Sequence, residues 1–321
     1  MTFHRRICIA FLAAFAALGQ ARAESPALTR VGDLAADTRP AGVPSDYVAT
    51  PAGYFHPSCV VHMEDGEHIM ASGDVRQLDQ SVRKVQACTR QSFDMQGSAR
   101  APDAAGVDAR AAASFNGWLA YSETNPNSGV ASSEMVADWI VPSAPRSATG
   151  QILYYFPGLE SASVVTILQP VLAWNGYNNN AWTMANWNCC KSGTVYTGNP
   201  INVRAGDQIH GAMNGTNCKK STPCTAWSIT SSDVTTGQST TFQTQSYNQV
   251  FTWYFGGVME VYGVNSCAQF PTNGSITFTN VKVWDYAGNT LTPTYGGQVS
   301  SGAPSCGYTV NPTTSQTVIG F

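Results

Sequence analysis

Val164-Val165-Thr166-Ile167-Leu168-Gln169-Pro170-Val171-Leu172-Ala173-Trp174 is the stretch on which the fold class turns. It is rich in β-branched and apolar residues, and its side chains alternate as in a strand. Gln169 then shares a face with Ile167 and Val171. On either side, Gln151–Phe156 and Ile201–Val203 read the same way, as do Met135–Val141, Thr240–Thr244, Val250–Phe255, Gly257–Tyr262 and Ser275–Trp284. Clusters of Gly, Asn, Ser and Pro separate these runs. No stretch carries a helical period and no tandem repeat is present. Many strands with short turns over about 200 residues predict an all-β sandwich or barrel.

Upstream of this region the character changes. The chain has 321 residues, with 17 Lys and Arg against 20 Asp and Glu. Met1–Ala23 opens on Arg5 and Arg6, continues through an apolar run and ends in Ala21-Arg22-Ala23, the pattern of a secretory signal peptide. The run is too short to span a bilayer, so an exported protein with no membrane span is expected. Removing residues 1–23 takes away three arginines and no acid, so the net charge moves from −3 to −6. That charge offers no basic face for nucleic acid. Residues 24–111 hold 12 acids and 8 basic residues, whereas residues 112–321 hold 8 and 6. The contrast, with the Ala/Gly/Asp-rich stretch Ala101–Ala113, divides the chain into a propeptide or accessory region (24–111, linker included) and a β domain (112–321).

The signal segment also removes Cys8 and leaves eight cysteines, an even number that reads as disulfides in an exported chain. Neighbour pairing suggests Cys59–Cys88, Cys218–Cys224 and Cys267–Cys306. Cys189 and Cys190 are left over, either as a strained vicinal bridge or paired elsewhere. Neither CxxC nor HxxxH occurs, so no metal and no other cofactor is expected.

Chemistry is narrowed by elimination. The β domain has one histidine, His210, which reads as a surface or packing residue, so a Ser-His-Asp or Cys-His centre is not expected. No phosphate-binding or dinucleotide fingerprint is present. Carboxylate and amide chemistry remains. In Val258-Met259-Glu260-Val261-Tyr262, Glu260 shares a face with Val258 and Tyr262, where ionisation is expensive and a raised pKa would suit proton transfer. Glu260 and Gln169 would equally serve as ordinary polar residues on a solvated strand face.

Residues 112–285 resemble the glutamic peptidases of the eqolisin type, with motifs in the same order. Phe115-Asn116-Gly117-Trp118, followed by Val136-Ala137-Asp138-Trp139-Ile140-Val141-Pro142, is similar to that family's opening Asn-Trp-Gly-Gly and the strand ending in Val-Pro. Tyr155-Phe156-Pro157-Gly158-Leu159-Glu160 and Ile167-Leu168-Gln169 resemble its Trp-x-Gly-Ile-Asp segment and its Ile-Leu-Gln. Ala205-Gly206-Asp207-Gln208-Ile209, Val258-Met259-Glu260 and Ser275-Ile276-Thr277-Phe278-Thr279-Asn280 follow in register with later family segments. Neprosin-type glutamic peptidases resemble the same group and also carry an N-terminal region.

The resemblance implies a concanavalin-like jelly roll of two antiparallel sheets behind a small pro-region. It implies Glu260 as general base and acid, and Gln169 as holder of the attacking water and donor to the oxyanion, the two on facing positions of neighbouring strands. Glu160, Trp118 and Trp182 are the implied substrate-binding residues. The implied protein is a secreted, acid-acting, monomeric endopeptidase, made as a zymogen, that takes protein or peptide substrates. One departure is that Ala181-Trp182-Thr183-Met184 puts Met184 where the family has a glutamate. The readings from other classes are an exported carbohydrate-binding sandwich without catalysis, using surface aromatics and the Asn175–Asn180 loop, and an adhesive protein on an inactive peptidase scaffold.

Overall fold

A computed structural model describes residues 39–100, 116–127, 129–219, 222–301 and 304–321. The signal peptide, residues 24–38, the whole of the linker Ala101–Ala113 and Phe115 lie outside the described residues. The N-terminal region contributes β1 (Val48–Thr50), β2 (Gly53–Phe55), β3 (Val60–Met63), β4 (His68–Ile69), β5 (Val75–Arg76), β6 (Val82–Arg83), β7 (Ser92–Phe93) and β8 (Ala99–Arg100). There follow β9 (Gly117–Glu123), β10 (Ser132–Ile140), β11 (Ile152–Ser161), β12 (Ile167–Trp174), β13 (Trp182–Cys189), β14 (Val195–Gly198), β15 (Ile201–Val203) and β16 (Gln208–Thr216). The chain closes with β17 (Ala226–Asp233), β18 (Gln238–Thr244), β19 (Phe251–Tyr262), β20 (Ser275–Asp285), β21 (Gly296–Val299), β22 (Thr309–Pro312) and β23 (Thr317–Gly320). No α-helix occurs among the described residues.

The strands form the all-β sandwich that the alternation predicts. One large sheet runs β21-β9-β19-β11-β12-β13-β14-β3, with β15 also on β13. The other runs β22-β23-β20-β10-β16-β17-β18-β4-β5-β6. Pairing is antiparallel except at two places, β3 on β14 and β4 on β18, where the N-terminal region adds itself to an edge of each large sheet. Such additions cover main-chain groups that an open edge would leave unpaired. A third, small sheet, β1-β2-β7-β8, lies outside the sandwich.

Two cores result from the alternation. Leu153, Tyr155, Leu168, Leu172, Met184 and Met259 point between the large sheets, against Trp139, Met213, Trp227 and Phe278. Their strand neighbours Tyr154, Phe156, Val171, Trp187, Val258 and Tyr262 point the other way and pack under Tyr54, Phe55, Phe93 and Met95 of the N-terminal region. Both faces of the β9–β14 sheet are therefore buried. That explains why β11, β12 and β13 are buried along their whole length. Buried amides bridge the large sheets: Asn186 accepts from Ser231 Oγ at 2.6 Å and donates to Thr240 O at 2.8 Å.

The disulfides are Cys59–Cys88, Cys218–Cys224 and Cys267–Cys306, as neighbour pairing suggests, and Cys189 pairs with Cys190. No disulfide joins the N-terminal region to the sandwich.

Candidate active site

The outer face of the β9–β14 sheet carries the carboxylates and the amide singled out in the sequence. Two features set their positions. Gly256 and Gly257 make a bulge in β19: Phe156 pairs with Val258 and Gly158 with Phe255, so three residues of β19 span two of β11. Close approach demands glycine there, because a Cβ on Gly257 would lie 2.3 Å from the Phe278 ring of the facing sheet. The bulge switches the alternation, so that Trp253 and Phe255 before it and Val258, Glu260 and Tyr262 after it all face outward. The second feature is a break in pairing between β11 and β12, which lies between Tyr155–Leu172 and Leu159–Leu168. Pro157 and Pro170 sit in that gap, and neither has an N–H to donate.

Glu260 is fully buried and sits between Tyr154 on β11 and Trp118 on β9. Trp118 Nε1 donates to its Oε2 at 2.9 Å. Oε1 has no hydrogen-bond partner among the described residues. Burial pushes the carboxyl up to about 8, and the Tyr262 hydroxyl and the Trp118 indole offset only part of this. Burial therefore favours its neutral acid form. Over it lies the β1–β2 hairpin. The Tyr262 hydroxyl donates to Thr50 O at 2.7 Å and accepts from Gly53 N at 2.9 Å, and the Tyr154 hydroxyl donates to Ala49 O at 3.1 Å.

Gln169 is also fully buried, directly opposite Trp187 on β13. Neither its Oε1 nor its Nε2 has a hydrogen-bond partner among the described residues. Leu159 pairs with Leu168 and Glu160 with Ile167, so Gly158 stands level with Gln169, and Gly158 pairs with Phe255. Gln169 is thus level with Phe255, five residues along β19 from Glu260, and β11 lies between the two strands. At about 3.3 Å per residue along a strand and about 4.8 Å between strands, their backbones are roughly 15 Å or more apart. The expected pair on neighbouring strands, close enough to share a water, is not formed.

Gln169 instead has Glu160 beside it. Glu160 is 4% exposed and stands diagonally across the β11–β12 ladder, a spacing of about 7–8 Å between backbones that long side chains close. Beyond Phe255 on the same level comes Glu123 of β9, whose Oε2 accepts from Trp253 Nε1 at 3.1 Å. Gly158 keeps the floor between Phe255 and Gln169 free of a side chain. The face therefore holds two polar centres, Glu260 with Trp118 and Tyr262 at one end and Gln169 with Glu160 at the other, with Glu123 three strands from Gln169 on that second level.

Trp182 does not join either centre. It is buried between the large sheets, edge-on to Trp174 with ring centroids 5.3 Å apart and against Tyr155. Its expected place in a substrate cleft is corrected by parity: on β13 the odd-numbered residues face outward and Trp182 is even. Trp187 is the tryptophan of that strand on the site face, and counting alternation from it would have found this. Glu123 and Trp253 were also missed. Glu123 lies two residues beyond the outward-facing Tyr121, whereas counting from Trp118 gives the opposite face because the pairing of β9 with β19 shifts between them. No group of three or more His, Cys, Asp and Glu side chains that could hold a metal occurs among the described residues.

No family model matches the chain, and no curated protein matches it. Among solved structures, scytalido-glutamic peptidase with a peptide-based transition state analog is similar at a TM-score of 0.45 and 15% identity, over 64% of this chain and 98% of that one. SCP-B, a member of the eqolisin family of peptidases in complex with the tripeptide Ala-Ile-His, is similar at a TM-score of 0.43 and 16% identity, over 64% and 98%. The aspergilloglutamic peptidase from Aspergillus niger is similar at a TM-score of 0.38 and 19% identity, over 53% of this chain and 98% of that one.

Proposed function

We propose that this chain is an exported, acid-acting endopeptidase that hydrolyses peptide bonds with a carboxyl–amide pair, Glu160 and Gln169. Residues 24–111 cap the site face until the linker is cut. The observation that carries the reading is Gln169, a fully buried amide with neither polar atom paired among the described residues. Burying such a group costs about 1–3 kcal/mol unless a water or a substrate group pairs with it, and here Glu160 stands beside it to hold that water.

In this reading, Glu160 as carboxylate takes a proton from a water held between it and Gln169. The water attacks the scissile carbonyl, and the Gln169 amide N–H donates to the oxyanion. Glu160, now protonated, returns the proton to the leaving amine. One carboxyl serving as base and then acid works best near its own pKa. Glu260 takes no part in the proton transfer. It is out of reach of Gln169, two strands away. It lies under the β1–β2 hairpin and is held by the Trp118 indole.

Hydrolysis of denatured casein by linker-cleaved protein, followed from pH 2 to 7, tests the reading. Wild type is expected to act with an acidic optimum, and Gln169→Ala to lose about 10²–10³ in kcat, as for loss of one oxyanion donor. A wild type inactive at every pH removes the peptidase reading and leaves the sugar-binding one.

A further inference from the structure

The hydrogen bonds that hold the β1–β2 hairpin to the sheet share one property: on the cap side they end on main-chain atoms. Tyr262 Oη donates to Thr50 O and accepts from Gly53 N, and Tyr154 Oη donates to Ala49 O. The two tyrosines stand on central strands of a large sheet, are fully buried, and face outward side by side with ring centroids 6.0 Å apart. The one ring contact from the hairpin is Tyr54, edge-on to Tyr262 at 5.2 Å. The Tyr54 hydroxyl has no hydrogen-bond partner among the described residues, so its ring rather than its polar end makes the contact.

We propose that Tyr154 and Tyr262, with the Trp118–Glu260 pair beneath them, form a binding site for a polypeptide main chain bearing an aromatic side chain. The chain's own Ala49–Tyr54 segment fills it, and substrate takes it once the cap leaves. This rests on the peptidase reading above and adds where the substrate is gripped. Ala173, which pairs with Tyr154, lies four residues from Gln169 on β12. At about 3.3 Å per residue, an extended peptide crosses that distance in about four residues. The site therefore holds an aromatic residue about four positions from the bond to be cut.

The test keeps the full chain and empties the site by changing the cap alone. Gly53 has φ +114°, and a Cβ there would lie 2.3 Å from Phe93 O, so Gly53→Ala cannot keep the turn. Tyr54→Ala in the same chain removes the ring contact. The probe is a fluorescein-labelled peptide with the sequence of residues 46–56, read by fluorescence polarisation. We expect it to bind the double variant and not the parent. Adding Tyr262→Phe should weaken binding at least tenfold, and replacing Tyr54 by alanine within the peptide at least fivefold.

Absence of binding to a double variant whose amides at 49, 50, 52 and 53 exchange freely would overturn the proposal, as would unchanged binding after Tyr262→Phe. Protection of the same amides in the double variant would also contradict it, because the contacts named would then not be what seats the turn. Polarisation needs no turnover. Loss of hydrolysis in Glu160→Gln with binding intact supports both readings, whereas intact binding with no hydrolysis by wild type removes only the peptidase.

Discussion

Glu260 ties the stability of the capped protein to pH, and the direction is the reverse of acid release. Its carboxyl moves from 4.5, the value for an unfolded chain, to about 8 in the folded protein. Between those values the folded chain holds one proton more than the unfolded chain. Stability from this group is therefore greatest at low pH and is lost as pH rises toward 8. At about 1.36 kcal/mol per pH unit, the linkage is on the order of 5 kcal/mol, and local opening of the cap would cap it below that.

The assay is urea unfolding of the full chain at pH 5 and pH 8.5, followed by tryptophan fluorescence. Wild type is expected to lose several kcal/mol between the two. Glu260→Gln keeps the shape and cannot ionise, so it should lose much less. The difference between the two proteins isolates Glu260 from groups such as His68, which burial and Arg76 hold low and which acts in the opposite direction. Equal pH dependence in both proteins would refute the buried, neutral carboxyl.

Further outcomes follow from the packing. Trp182→Ala should destabilise the protein by about 3–5 kcal/mol, measured by urea unfolding, and leave KM for peptides unchanged, because the ring fills the sandwich interior. Cutting the linker should free residues 24–111 from the site face, because among the described residues no disulfide joins them to the sandwich and only the short edge pairings of β3 and β4 tie them to the large sheets. Cleaved protein should separate into two species on gel filtration, and a single species would contradict the cap's release. Thiol titration of the denatured protein should find no free cysteine among the eight beyond the signal segment, with Cys189 and Cys190 bonded to each other.

The fold class was legible because alternation in β11, β12 and β19 is strong, and the same alternation correctly put Gln169 with Ile167 and Val171, and Glu260 with Val258 and Tyr262. What alternation cannot give is the level at which two strands meet. That depends on which strands neighbour one another and on the Gly256–Gly257 bulge, which shifts β19 along the sheet by an amount that no local pattern shows. The motif order thus suggested Glu260 beside Gln169, whereas the register sets Glu160 there. Trp182 was misplaced for a simpler reason, a parity that counting from Gln169 through its partner Trp187 would have supplied. The role of residues 24–111 was only partly readable. Their charge marked them as different, but strands as short as His68–Ile69 and Val75–Arg76 have too few residues to announce their place in the large sheets.

In the proposed mechanism, proton transfer belongs to Glu160 and not to Glu260. The most direct measurement is kcat for peptide hydrolysis at the acidic optimum by linker-cleaved Glu160→Gln and Glu260→Gln, side by side with wild type. Glu160→Gln is expected to abolish turnover, while Glu260→Gln keeps kcat within a few fold. Wild-type turnover in Glu160→Gln, or its loss in a folded Glu260→Gln, would contradict it.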